Sequence, residues 1–154
     1  MILWRMGQLK LKNTDKMIRR AKANWKGNLT EGTGTLTTQS GVLDTSHYSY
    51  KTRFEEGSKG TNPEELLAAA HAGCFTMAVV SIITKKNLTP SLINTEAVVT
   101  LEGLAITGIH LSISGSVTGM SEKQFTAATK EAEKNCIISK ALSVPITSEA
   151  HFIS

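Results

Sequence analysis

The side chains in this 154-residue chain best suited to covalent chemistry are the thiols of Cys74 and Cys136. Two cysteines allow three readings: a structural pair, two inert core thiols, or a redox couple. Their neighbours favour the third. Cys74 follows Gly73 inside an Ala-rich stretch, and Cys136 follows Asn135 where a helical pattern restarts. A thiol at the start of a helix faces unpaired N–H groups and partial positive charge, which favours the thiolate. A thiolate also needs a cation and something to hold that cation, and Arg53, Glu64 and Glu65 are the charged residues to consider. Arg53 falls in the alternating run Tyr48–Phe54, which reads as a strand. Glu64 and Glu65 read first as acids in the opening turn of a helix. Ten helical residues rise about 15 Å, so Glu64 reaches Cys74 only if the helix breaks, and Gly73 is the expected place for a break. His71 lies three residues before Cys74, but two ligands do not make a metal site and no C-x-x-C is present, so no cofactor is expected. His47, His71, His110 and His151 are read as non-catalytic.

The elements that must position these residues follow from periodicity. Arg19 to Phe54 reads as three short strands: Ala21, Ala23 and Trp25 alternate, a Thr-rich run covers Gly34–Thr38, and Tyr48–Phe54 alternates again. Glu55–Thr61 is a polar loop. Asn62 can cap a helix, Pro63 suits its first position, and the run Leu66–Thr84 is apolar nearly all round, which predicts a buried central helix. Ile93–Leu101 and Ile109–Val117 alternate around Gly103 as a hairpin. Ser121 with Gln124 forms a capping box that opens a second helix, and Phe125, Ala128 and Ala132 give its inward face. A short helical segment covers Cys136–Leu142, and Ile146–Phe152 alternates as a last strand. The predicted order is βββ–α–ββ–α–β, an α+β class with antiparallel or mixed sheets. A helix apolar on all sides needs more cover than six short strands provide, so an intimate homodimer is expected.

Length and composition set outer limits. The chain is 40% hydrophobic and 19% charged with a mean hydropathy of −0.08, which excludes gross disorder and suits one domain. No apolar run is read as approaching the ~20 residues of a membrane span. Two cysteines and no secretory signal exclude a disulfide-stapled secreted scaffold and fit a reducing cytoplasm. The net charge of +4 divides into +7 for residues 1–26 and −3 for the rest, so a nucleic-acid partner is not expected for the body. Met1–Leu11 alternates apolar and polar residues, and Met17 reads as a second start. Residues 1–16 are therefore an N-terminal extension, a tag or an upstream start, and 17–154 a single domain.

The string KTRFEEGSKGTNPEELLAAAHAGCF (Lys51–Phe75) closely resembles the OsmC proteins of the OsmC/Ohr superfamily, as do Asn24–Leu43 and the CIISKAL segment. The resemblance covers about Ile18–Ile153, and the long portion before Arg53 is similar to the OsmC branch. It implies an intertwined homodimer with active sites at the subunit interface, and a thiol peroxidase that favours organic hydroperoxides and is recycled by an external dithiol. It further implies Cys74 as peroxidatic, Cys136 as resolving, Arg53 as the contact of the reactive thiolate and Glu64 as the residue orienting Arg53. Ile137 stands where many relatives have proline. A redox-sensing or binding dimer without turnover is the alternative reading of the same cysteine pair.

Overall fold

The computed structural model describes residues 16–154, so the alternating run Met1–Leu11 and most of the 1–16 extension lie outside the described residues. Strands β1 (Ala21–Lys26), β2 (Thr33–Thr38) and β3 (Ser46–Tyr48) form an antiparallel sheet in that order. Gly34 explains part of its closeness: a Cβ there would sit 2.3 Å from the Asn24 carbonyl and 2.6 Å from the Tyr48 ring. Only a hydrogen lets Trp25 and Tyr48 close over β2, their ring centroids 5.4 Å apart.

The chain then departs from the predicted third strand. Tyr50–Phe54 is a short helix, α1, not a strand. Ser49 accepts from the Thr52 N–H while the Thr52 hydroxyl accepts from the Ser49 N–H, a reciprocal cap that overrides the alternation of side chains. Arg53 therefore sits on a helix.

Helix α2 (Pro63–Lys85) starts as its sequence predicts, with the Asn62 side chain accepting from the Glu65 N–H and Pro63 in the first turn. It runs unbroken through Gly73, against the expected break. Gly73 is in ordinary helical conformation, and a Cβ there would meet nothing within 4 Å. The helix is also less buried than predicted. Phe75, Val79, Ile82 and Ile83 enter the core with His71, whereas Ala70, Gly73, Met77 and Ser81 form a second stripe open to solvent. Met77 is 75% exposed. The expectation about apolar runs fails here as well. Pro63–Lys85 is long and apolar enough to cross a membrane, with a mean hydropathy of 2.0 over its richest stretch, of which 28% is buried. Its packed face is that of a core helix.

Strands β4 (Pro90–Glu102) and β5 (Ala105–Val117) form the predicted hairpin, turning at Gly103 with φ +61°. Helix α3 (Glu122–Asn135) opens on the Ser121/Gln124 capping box, and α4 (Ile137–Ala141) follows after Cys136. Strand β6 (Ile146–Phe152) joins β5 in parallel, so the second sheet is mixed with β5 in the middle. One face carries Ile109, Leu111, Ile113 and Val117 into the core, where α2 packs over β4 and α3 over β6. The class is α+β, as predicted. The first sheet and α1 make at most marginal contact with this helix–sheet layer, and β1 is exposed along nearly its whole length.

Candidate active site

The two thiols meet. Cys136 Sγ lies 3.1 Å from Cys74 Sγ although 62 residues separate them, and both are free. Cys74 projects from the middle of α2 beside the core and is half-buried. Cys136 closes α3, its N–H donating to the Ala132 carbonyl at 2.8 Å, and its side chain is 1% exposed. Burial alone would raise the Cys136 thiol, but the N–H groups of Ser139 and Ile138, the Ser139 hydroxyl and the Cys74 sulfur hold it below its ordinary range. Cys136 stands where the helical pattern restarts, at the N-cap of α4. Cys74 goes the other way: burial pushes it up and the neighbouring Cys136 sulfur adds to the shift.

A second rung lies beside the thiols. His71, one α-helical turn before Cys74, places Nε2 2.8 Å from the hydroxyl of Ser139, three residues after Cys136. His71 is fully buried, burial lowers its pKa and favours the neutral imidazole, and Nδ1 has no hydrogen-bond partner among the described residues. The sequence reading takes His71 as non-catalytic and gives Ser139 no role. Their matching spacing from the two cysteines is the signal, and it acquires meaning only once α2 and α4 are known to be adjacent.

Arg53 and Glu64 also come together, as expected. Arg53 Nε donates to both carboxylate oxygens at 3.1 and 3.3 Å, and Nη2 donates to Oε1 at 2.7 Å. The planar fork fits the carboxylate in a way a lysine could not. Burial would raise the Glu64 carboxyl, but the Arg53 guanidinium and the backbone N–H of Glu64 together keep the group below its usual range. Beside this pair lies an apolar cleft of about 320 Å³ lined by Trp25, Leu29, Tyr48, Tyr50, Phe54 and Arg53. Phe75, by contrast, is a core residue, and Met77 lies on the open stripe of α2.

The four predicted site residues thus form two pairs. Because α2 does not break, Glu64 and Cys74 stay about 15 Å apart along its axis. Among the described residues, the polar contacts of Arg53 are with Glu64, and no arginine bridges the carboxylate to the thiol of the same chain. Among the described residues, no group of three or more His, Cys, Asp or Glu side chains is placed to hold a metal.

Comparison with known proteins gives concordant results. The family model described as OsmC-like protein matches residues 56–150. The chain is 41% identical over 133 residues to Peroxiredoxin OsmC of Escherichia coli K12, covering 84% of this chain and 92% of the relative, and matches the Shigella flexneri protein of the same name equally. Among solved structures, an OsmC-like protein of unknown function from Vibrio cholerae aligns with a TM-score of 0.71 at 19% identity, covering 88% of this chain and 99% of that one. The organic hydroperoxide resistance protein OhrB of Bacillus subtilis aligns at 0.60 with 22% identity, covering 87% and 98%. At these identities the two structures speak for the fold.

Proposed function

The chain belongs to the OsmC-like family and is a cysteine-based peroxidase, and we propose that it reduces organic hydroperoxides to alcohols through a cysteine sulfenic acid and an intramolecular disulfide. The observation that carries this reading is the 3.1 Å approach of Cys74 and Cys136. Closing that gap to the ~2.05 Å of a disulfide needs about 1 Å of movement.

In the proposed cycle the Cys74 thiolate attacks one peroxide oxygen. The O–O bond breaks, the alkoxide leaves and takes a proton as the alcohol, and Cys74 becomes a sulfenic acid. Cys136 then displaces hydroxide from that sulfur, giving the disulfide and water. An external dithiol returns both thiols to the reduced state. A solvent-accessible cysteine with a raised pKa is a poor first nucleophile, so Cys74 needs a cation. We assign that cation to Arg53 of a second copy, because the same-chain Glu64 stands a long way down an unbroken helix from Cys74. Three features support a homodimer of this kind. The stripe of α2 that holds Ala70, Gly73, Met77 and Ser81 is open, the first sheet has little to pack against among the described residues, and the apolar cleft lies beside Arg53 and not beside the thiols. In the dimer the cleft receives the hydrocarbon part of the hydroperoxide. The reading requires no prosthetic group and places the reductant in the cytoplasm.

The test is turnover of cumene and tert-butyl hydroperoxide with a dithiol. Many turnovers per subunit, lost in Cys74→Ser, are expected. A single oxidation event per chain with no further consumption would assign the pair to sensing instead, and undiminished activity in Cys74→Ser would overturn the mechanism.

A further inference from the structure

Two cross-links join α2 to the segment around α4, and they run in parallel. Cys74 faces Cys136, and His71, one helical turn earlier, faces Ser139, three residues later. The second link is chemically odd for a core position. His71 is fully buried, satisfies one ring nitrogen and leaves the other without a partner among the described residues. An orphaned buried polar atom costs about 1–3 kcal/mol, a cost that leucine at the same place would avoid. Packing alone therefore does not account for a histidine there.

We propose that His71 and Ser139 are positioning residues for the resolving step, a hydrogen-bonded clamp that holds Cys136 against Cys74 and aims the Ser139 hydroxyl at the Cys136 sulfur. The clamp works with a neutral imidazole. Nε2–H donates to Ser139 Oγ, which leaves the Ser139 O–H free to point at sulfur. Burial favours that neutral ring, and the direction in which Ser139 moves the Cys136 thiol agrees with the arrangement. Cys74 and His71, both on α2, are the titratable groups that bear on Cys136 in this geometry.

In the step concerned, an electron pair on the Cys136 thiolate forms the S–S bond. The S–O bond of the Cys74 sulfenic acid breaks, and hydroxide leaves and takes a proton as water. Cys136 is oxidised and the Cys74 sulfur reduced, so no further oxidant is needed. Holding the two sulfurs in near-attack geometry removes the search that an untethered segment would make.

This inference rests on the proposed role of Cys136 as resolver, and the experiment separates the two. The reduced wild-type protein is mixed with one equivalent of cumene hydroperoxide. Sulfenic acid formation and its decay to the disulfide are followed separately by stopped-flow fluorescence and by dimedone trapping. Ser139 is half-buried, so Ser139→Ala tests the clamp without opening the core. Sulfenic acid formation is expected at the wild-type rate and disulfide closure about tenfold slower, the loss of one hydrogen bond to a charged group at the low end of its range. Ser139→Thr, which keeps the hydroxyl, and His71→Gln, which keeps a donor, are expected to recover most of the closure rate, while His71→Leu is not. In a Cys74→Ala background, the pH midpoint for alkylation of Cys136 is expected to rise on adding Ser139→Ala. Wild-type closure rates in both Ser139→Ala and His71→Leu would overturn the clamp, as would equal slowing of both steps. Failure of the wild-type protein to form the Cys74–Cys136 disulfide at all would instead overturn the proposed cycle.

Discussion

If Arg53 of one chain serves Cys74 of another, two inactive proteins can repair each other. Arg53→Ala removes the cation from every site of its own dimer. Losing one charge-assisted hydrogen bond to a thiolate, about 1.5–3 kcal/mol, lowers kcat/KM by roughly ten- to a hundred-fold. Cys74→Ser removes the nucleophile and leaves no site working. In a mixed dimer the Arg53→Ala chain supplies Cys74 and the Cys74→Ser chain supplies Arg53, so one of the two sites is whole. Unfolding equal amounts together in urea and refolding gives, by random pairing of symmetric subunits, half mixed dimers and about a quarter of wild-type activity. The geometry forces the distinction. The Arg53 fork is held by Glu64, and about 15 Å of continuous helix separates Glu64 from the Cys74 of its own chain. The assay is peroxide consumption per subunit with dithiol in excess, with each variant refolded alone as a control. Activity no higher than the mean of the two controls, in a sample shown to contain mixed dimers, would refute assembly of the site from two chains.

Further outcomes follow from other parts of the structure. Cys136→Ser is expected to complete one turnover and then accumulate dimedone-reactive Cys74 and its overoxidised forms, read by mass spectrometry; sustained dithiol-driven turnover would show that Cys136 is dispensable. Gly73→Ala separates a lone chain from a dimer by the sign of its effect. With open space at the Cβ, alanine stabilises a helix interior by about 1 kcal/mol, or ~2–4 °C in Tm, whereas a second copy seated on that stripe turns the change into a weaker dimer. The Glu64 carboxyl has a lower pKa folded than unfolded, so its stabilisation is present above its unfolded pKa and is lost as pH falls through the folded value. Arg53 is 43% exposed, so the contribution is at most about 1 kcal/mol, and Glu64→Gln is expected to flatten the acid limb of the stability profile by that amount. Gly115→Ala would put a methyl 2.5 Å from Ile93 Cδ1 and 2.8 Å from Phe125 Cζ; a loss of about 1–3 kcal/mol in urea unfolding is expected.

The parts of the fold that sequence reveals are those governed by neighbours in the chain. Asn62–Pro63 and Ser121–Gln124 name their helix starts because a cap is made within four residues, and β4 and β5 alternate because each buries one face. Arg53 was misplaced on a strand because Tyr48–Phe54 alternates, while a single pair, Ser49 and Thr52, decides the backbone. The break at Gly73 was expected from glycine's freedom, yet nothing in the packing requires the helix to bend there. Cys74, Cys136, Arg53 and Glu64 can each be named from the sequence as candidates, but their division into two separate pairs cannot, since that depends on how far one helix runs. His71 and Ser139 remained hidden because a clamp between distant segments leaves only a matching interval, which becomes visible once the segments are known to touch.

The open stripe of α2 has a consequence for how the protein comes into being. A newly made chain carries a helix as apolar as a membrane span, and the described elements that pack on it, β4, α3 and α4, all emerge after it. Among the described residues, nothing covers the stripe of Ala70, Gly73, Met77 and Ser81 even in the finished single chain. If the proposed dimer covers that stripe, the concentration of its siblings becomes a condition of folding, in the same sense as temperature or pH. Dilution would then act as a denaturant, and the apparent Tm would climb with protein concentration. The most dangerous moment for the molecule would be the interval between leaving the ribosome and meeting another copy.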